Sequence, residues 1–291
     1  MIISNVFTAG KRITACIGSR IERFCINQPD IPRNNDIYVL LRGQSNARGL
    51  PERPLLPNPD GLPLGADWVE SDLVQHWDDD AKQWINTTLA SLDRGGRGGL
   101  YNMMLNASRI ISETTGKRVR TIINSAGSTR FDQWVNPVVA LGGLTRHQEE
   151  QRMIAESGAI NVLVVSHQGE SHRNDDPQDF IDIVRQYEAL VAANDWFSGF
   201  YLHCDLIDTS GQPSVNNTGL PPEQYNRSEE IRNRIVIGGA NYDPATDGTP
   251  LGHLVPSNGV TGSDDVHADS RGYDLYGERV AQILQNLGAL N

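Results

Sequence analysis

The chain has 291 residues, 38% of them hydrophobic, and carries 36 acidic against 25 basic side chains for a formal net charge of -11. That length supports one large α/β domain, or two small ones, with a real core. An acidic chain without a local basic patch repels phosphate backbones, and no apolar run is long enough to cross a bilayer, so neither nucleic-acid binding nor membrane insertion is expected. The first residues, Met1 to Arg12, lack a basic segment followed by an apolar segment and a small-residue cleavage site, so a signal peptide is not expected in the chain as given. The three cysteines, Cys16, Cys25 and Cys204, have no C-x-x-C spacing. An odd number argues against a disulfide framework and favours small buried hydrophobes, with a Cys16–Cys25 pair as the other option.

Residues 1–35 read as an N-terminal extension, a docking element or edge hairpin ahead of a main domain over 36–291. The alternation in Arg12 to Ile17 suits a short hairpin strand, and the Pro/Asn cluster Gln28 to Asn35 suits a linker. Ile37 to Leu41 is an apolar run of strand length, cut off by Gly43 before the polar cluster Gln44-Ser45-Asn46. A buried strand ending in such a turn places the Ser45 hydroxyl in the crevice beyond the carboxyl ends of the strands, where open α/β sheets bind ligands. Pro51 to Gly65 is expected as an irregular loop. Val74 to Trp84 carries Trp77 and Trp84 around the acidic turn Asp78-Asp79-Asp80, and these aromatics either hold a sugar or pack a loop onto the core. The glycines of Arg94 to Gly99 match no phosphate loop or dinucleotide fingerprint, and open a helix over Leu100 to Thr114.

Val119 to Asn124 is the second core strand and ends in Ser125-Ala126-Gly127-Ser128-Thr129. A polar-faced helix over Gly143 to Ser157 precedes a third strand, Ala159 to Ser166, whose all-apolar Val162 to Val165 suits a parallel strand covered on both faces. That strand delivers His167-Gln168-Gly169-Glu170 to the same rim. Phe180 to Ala193 is the next helix, Phe197 to Leu206 the fourth strand, Pro222 to Val236 a charged helix, Gly252 to Pro256 a short fifth strand, and a last helical run ends at Leu287. Strand and helix alternating along the chain imply a three-layer α/β/α sandwich around a mostly parallel five-stranded sheet.

Four groups thus stand at or beyond strand ends: Ser45; Gly127; Gln168 with Glu170; and Asp264 with His267. A serine early and a D-x-x-H late provide a nucleophile, a base and a carboxylate three residues before the base that can fold back onto its second ring nitrogen. Asp265 is an adjacent claimant for the carboxylate, Asp264 then capping a turn. His167, His172, His203 and His253 show no metal-ligand spacing, so no metal or other cofactor is expected. Arg48 and Arg130, near the rim, either meet a substrate carboxylate or pair with a local acid.

The G-Q-S-N block at Gly43 to Asn46, the H-Q-G-E-S block at His167 to Ser171 and the D-x-x-H block at Asp264 to His267 together resemble the SGNH hydrolase superfamily. They resemble more closely its carbohydrate esterase branch, which includes sialate O-acetylesterases and acetylxylan esterases. Weaker echoes lie in Val74 to Trp84, Gly96 to Tyr101 and Ile231-Arg232. The resemblance spans about 36–289 and implies an SGNH/flavodoxin-like fold and hydrolysis of O-acetyl groups on a carbohydrate partner without a cofactor. It further implies Ser45 as nucleophile, His267 as base, Asp264 as its orienting acid, and an oxyanion hole from the Ser45 and Gly127 N–H groups with the Gln168 amide. Asn46 and Glu170 would support the nucleophile loop. Ser128 and His172 depart from the branch, which often has Gly and Asp or Asn there, and bear on the acyl pocket or sugar recognition. Two rival readings are a carbohydrate-binding or structural module with an inert site, docked through residues 1–35, and a lipid or thioester hydrolase on the same fold.

Overall fold

The computed structural model describes residues 6–9, 12–17, 20–24, 35–49, 71–88, 102–127, 129–169, 171, 176–206, 233–240, 242–245, 247–248, 250–260 and 267–291. The expected loop over Pro51 to Gly65, the glycines of Arg94 to Gly99 and the charged helix from Pro222 as far as Arg232 lie outside these residues. No described helix is long and apolar enough to cross a membrane.

The chain falls into two compact units, Met1–Arg33 and Asn34–Asn291. In the first, strands β1 (Val6–Ala9), β2 (Arg12–Ile17) and β3 (Arg20–Phe24) form an antiparallel sheet in that order. Thr14 of the middle strand pairs with Phe7 on one side and Arg23 on the other.

The second unit is built on β4 (Ile37–Gly43), every residue of which is buried. Its sheet has seven strands in the order β10-β9-β8-β4-β7-β5-β6, with β5 (Val74–Asp78), β6 (Gln83–Asn86), β7 (Val119–Ser125), β8 (Val162–His167), β9 (Phe197–Cys204) and β10 (Gly252–Val255). All neighbours are parallel except β6, which runs antiparallel to β5 at the edge. The five strands expected from sequence are present, and β5 and β6 are additional. Their polar Gln75, His76 and Gln83 and the acidic stretch between them hide the strand periodicity. That stretch is the turn itself: Asp78 Oδ1 accepts from the N–H groups of Asp80 and Ala81 at 3.1 and 3.0 Å, and Lys82 sits at φ 52°. The two tryptophans pack across this hairpin, Trp77 on Trp84 with ring centroids 5.5 Å apart, and Trp84 continues onto Tyr38 of β4 at 5.9 Å. Both rings pack against the core on the Tyr38 face of the sheet.

Alternate β4 residues face opposite helical layers, as a strand's two-residue period requires. Ile37, Val39 and Leu41 join a core with α2 (Met103–Thr115) and α5 (Ser270–Asn286), whereas Tyr38 and Leu40 join one with α3 (Arg146–Ser157) and α4 (Pro177–Ala192). This is the three-layer sandwich. The helices start where their caps dictate: Asn102, Thr145, Asp176 and Asp269 each accept a first-turn N–H, and Thr145 with Gln148 completes a capping box. On the first face α2 and α5 cross so closely at Gly277 that a Cβ there would lie 2.7 Å from Met103 O.

The second face contains charge. Arg42, fully buried, lies 3.9 to 4.4 Å from the ring centroids of Tyr187, Trp134 and Phe131 and donates to Ser166 Oγ and Tyr201 Oη at 3.0 and 2.9 Å. Glu150, also buried, stands 3.5 Å from Arg42 and accepts from Trp134 Nε1 at 2.7 Å and Tyr187 Oη at 2.8 Å. Burial pushes the Tyr201 hydroxyl up to about 12, so it stays a donor or acceptor rather than an anion.

Candidate active site

The end of β4 is a forced geometry. Gly43 has φ 140°, and a Cβ on it would fall 2.0 Å from His167 O, so no side chain fits where β4 meets β8. Gln44 N donates to His167 O at 3.2 Å and Ala126 N to Gly43 O at 3.1 Å, tying the ends of β8 and β7 to that of β4. The chain then turns into the single-turn helix α1 (Ser45–Arg48), closed by Arg48 N to Gln44 O at 3.0 Å and Gly49 N to Ser45 O at 2.9 Å. Ser45 is partly exposed while Gln44, Asn46 and Ala47 beside it are buried. Its hydroxyl therefore stands at the rim on a turn whose flanks are fixed.

Gln44 fixes one flank. Its Oε1 accepts from Gln168 Nε2 at 3.1 Å, Ser171 Oγ at 2.8 Å and Ser171 N at 3.3 Å. Gln168 Nε2 donates also to Thr129 O, at 2.7 Å. A carbonyl oxygen accepts only, so the atom facing it is the nitrogen, and both amide hydrogens of Gln168 are engaged. Gln168 is expected from sequence as an oxyanion donor; here it bridges the loops after β4, β7 and β8.

Asn46 fixes the other flank. Its Oδ1 accepts from Ala268 N at 3.0 Å and from Tyr273 Oη at 3.1 Å, across more than two hundred residues of sequence. Ala268 follows His267 directly, and Tyr273 lies in α5, whose start is capped by Asp269 through Gly272 N at 2.8 Å. Three residues on, Tyr276 Oη donates to Asp205 O at 2.6 Å beyond β9, and its ring meets that of His167 with centroids 5.3 Å apart. The segment after the serine is thus bonded to the segment after the histidine. Asp264, Asp265, Glu170, Ser128 and His172 lie outside the described residues.

Gly127 is exposed just past β7, with open space where a side chain would be. Arg130 donates to Ser171 O at 3.2 Å and stands 3.7 Å from Asp132, so it pairs with a local acid. It lines an open cavity of about 540 Å3 together with Asp176, Asp179, Asp182 and Ile183. His203 is committed elsewhere, 2.9 Å from Glu188, and burial, only partly offset by that carboxylate, lowers its affinity for a proton. Among the described residues no group of three or more His, Cys, Asp or Glu could hold a metal ion. Gln44, Ser171 and Tyr273 had no role assigned from sequence, although the first two belong to the quoted blocks.

No family model matches the chain, and no curated protein does so by sequence. Solved structures do. One from Arabidopsis thaliana aligns at TM-score 0.57 with 16% identity, covering 87% of this chain and 98% of its own. The chain shares this α/β fold. A carbohydrate acetylesterase from Xanthomonas citri aligns over 96% of this chain and 61% of its own at TM-score 0.53 and 15% identity. NanS aligns over 91% of this chain and 100% of its own at TM-score 0.54 and 12% identity. At such identities the likeness is one of fold.

Proposed function

We propose that the chain is a serine esterase that removes O-acetyl groups from a carbohydrate through an acyl-Ser45 intermediate. The observation that carries this reading is the Asn46–Ala268 hydrogen bond, which draws the serine turn and the histidine segment together at the carboxyl end of the parallel sheet. A fold relative that is a carbohydrate acetylesterase supports the reaction class.

Ser45 Oγ attacks the acetyl carbonyl carbon as His267 takes the hydroxyl proton. Collapse of the tetrahedral intermediate breaks the bond to the sugar oxygen, and that oxygen takes the proton from His267. Water then repeats the sequence on the acyl-serine and releases acetate. Asp264 is the proposed partner of the second imidazole nitrogen. The N–H groups of Ser45 and Gly127 are the proposed oxyanion donors, with Gln168 bracing the loops that carry them. Arg130 donates to Ser171 O, and Ser171 to Gln44 beside the serine; the carboxylates lining the cavity at Arg130 offer acceptors to sugar hydroxyls, which favours a glycan over a lipid substrate.

Acetate release from a panel of acetylated glycans tests the proposal. Ser45→Ala should abolish it, and Asp264→Asn should lower turnover by orders of magnitude while Asp265→Asn does far less. Unchanged release by Ser45→Ala would defeat the mechanism.

A further inference from the structure

The two amides that flank Ser45 send their side-chain oxygens in opposite directions. Gln44 Oε1 gathers donors from the loop after β8, whereas Asn46 Oδ1 gathers one donor from the residue after His267 and one from the helix that follows. Asn46, Ala268 and Tyr273 are all fully buried, so water has no access to replace either bond. Ala268 N and Tyr273 Oη meet at one oxygen atom, which makes the position of α1 depend on the position of the histidine segment.

Resting on the esterase reading above, we propose that Asn46, with Tyr273, is a positioning residue that sets the distance between Ser45 and His267, while Gln44 acts only on the opposite flank. Proton transfer from serine to imidazole needs hydrogen-bond reach, and a displacement of about 1 Å far from substrate costs on the order of 100-fold in rate. Asn46 touches neither substrate nor the reacting atoms in this assignment; it acts through the segment it holds.

Four variants of the full chain test this: Asn46→Ala; Asn46→Asp, which keeps an oxygen where the amide oxygen stood; Tyr273→Phe, which removes one donor and leaves the ring packed; and Gln44→Ala, which alters the opposite flank. Asn46→Ala should lower kcat roughly 100-fold with KM within about threefold, since positioning rather than substrate binding is lost. Asn46→Asp should recover most of that loss, and Tyr273→Phe should cost about fivefold, the worth of one neutral hydrogen bond. Amide exchange at Ala268, read by NMR without reference to turnover, should quicken at least tenfold in Asn46→Ala and stay slow in Asn46→Asp and Gln44→Ala. An Ala268 amide that exchanges equally in wild type and Asn46→Ala would overturn the clasp itself. Quickened exchange with unchanged kcat, or a loss confined to KM, would reduce the bond to a packing contact and overturn the positioning role. Wild-type protein that neither hydrolyses acetylated glycans nor labels at Ser45 with a fluorophosphonate would instead remove the esterase reading, and the positioning role with it, while Ala268 exchange still reports the bond.

Discussion

The two faces of the seven-stranded sheet solve the same packing problem in different ways. Toward α2 and α5 a broad apolar cluster fills the interior, its buried polar groups mostly uncharged, and the helices approach until Gly277 rests against Met103 O. Toward α3 and α4 the interior holds Arg42 among three aromatic rings with Glu150 beneath them. An apolar face is held by shape and tolerates changes that keep volume; a face containing charge is held by direction and tolerates none that leaves one partner alone. Arg42 reaches into the charged face and Ala47 into the apolar one, so the Ser45 turn is anchored in both.

If that contrast is right, Arg42→Met has the largest effect on stability, about 3–5 kcal/mol in urea unfolding, because it removes the buried cation facing Glu150 and leaves that carboxylate only Trp134, Tyr187 and His147. The double variant Arg42→Met with Glu150→Leu should recover most of this. A double variant no more stable than Arg42→Met would show that Arg42 works through its aromatic cage instead. On the apolar face Leu284→Ala should cost about 2–4 kcal/mol, scaling with the cavity left behind. Its closest crossing should be nearly as sensitive in the other direction: Gly277→Ala adds one methyl against backbone and should cost about 1–3 kcal/mol. A neutral result there would mean the helices slide apart freely, contrary to packing by shape.

The contrast extends to pH. Since the proton affinity of His203 is lowered in the folded state, the unfolded chain binds its proton first as acid is added. Its contribution to stability is complete above the ordinary histidine value of 6.5 and is lost as pH falls through the lower folded value. The stability advantage of wild type over His203→Gln should therefore shrink below about pH 6.5. An advantage that grows on acidification would reverse the sign assigned to the Glu188–His203 pair. The smallest effect belongs to the surface: Lys82→Ala, which loses contacts to Asp79 and Glu156 at the hairpin turn, should change stability by less than about 1 kcal/mol.

The central strands were legible because Ile37 to Leu41 and Val162 to Val165 are buried on both sides and read as unbroken apolar runs. β5 and β6 were not, since an edge hairpin needs few apolar residues and its turn is made by Asp78 to Lys82, a string of charges that reads as loop. At the site, Ser45 and His267 stood out by chemistry and order, and Asn46 only as a member of the G-Q-S-N block. What sequence hides is who bonds to whom: Gln168 looks like a free donor until Thr129 O is seen 2.7 Å from its nitrogen. Tyr273 is one more aromatic on a helix face until its hydroxyl is found on Asn46.

The most direct measurement of the central claim is covalent labelling with a fluorophosphonate, located by peptide mass spectrometry. A serine activated by His267 should be modified at Ser45 in the wild type, and His267→Ala should suppress that labelling by removing the base. Modification at another serine with Ser45 untouched, or undiminished labelling of Ser45 in His267→Ala, would contradict the account.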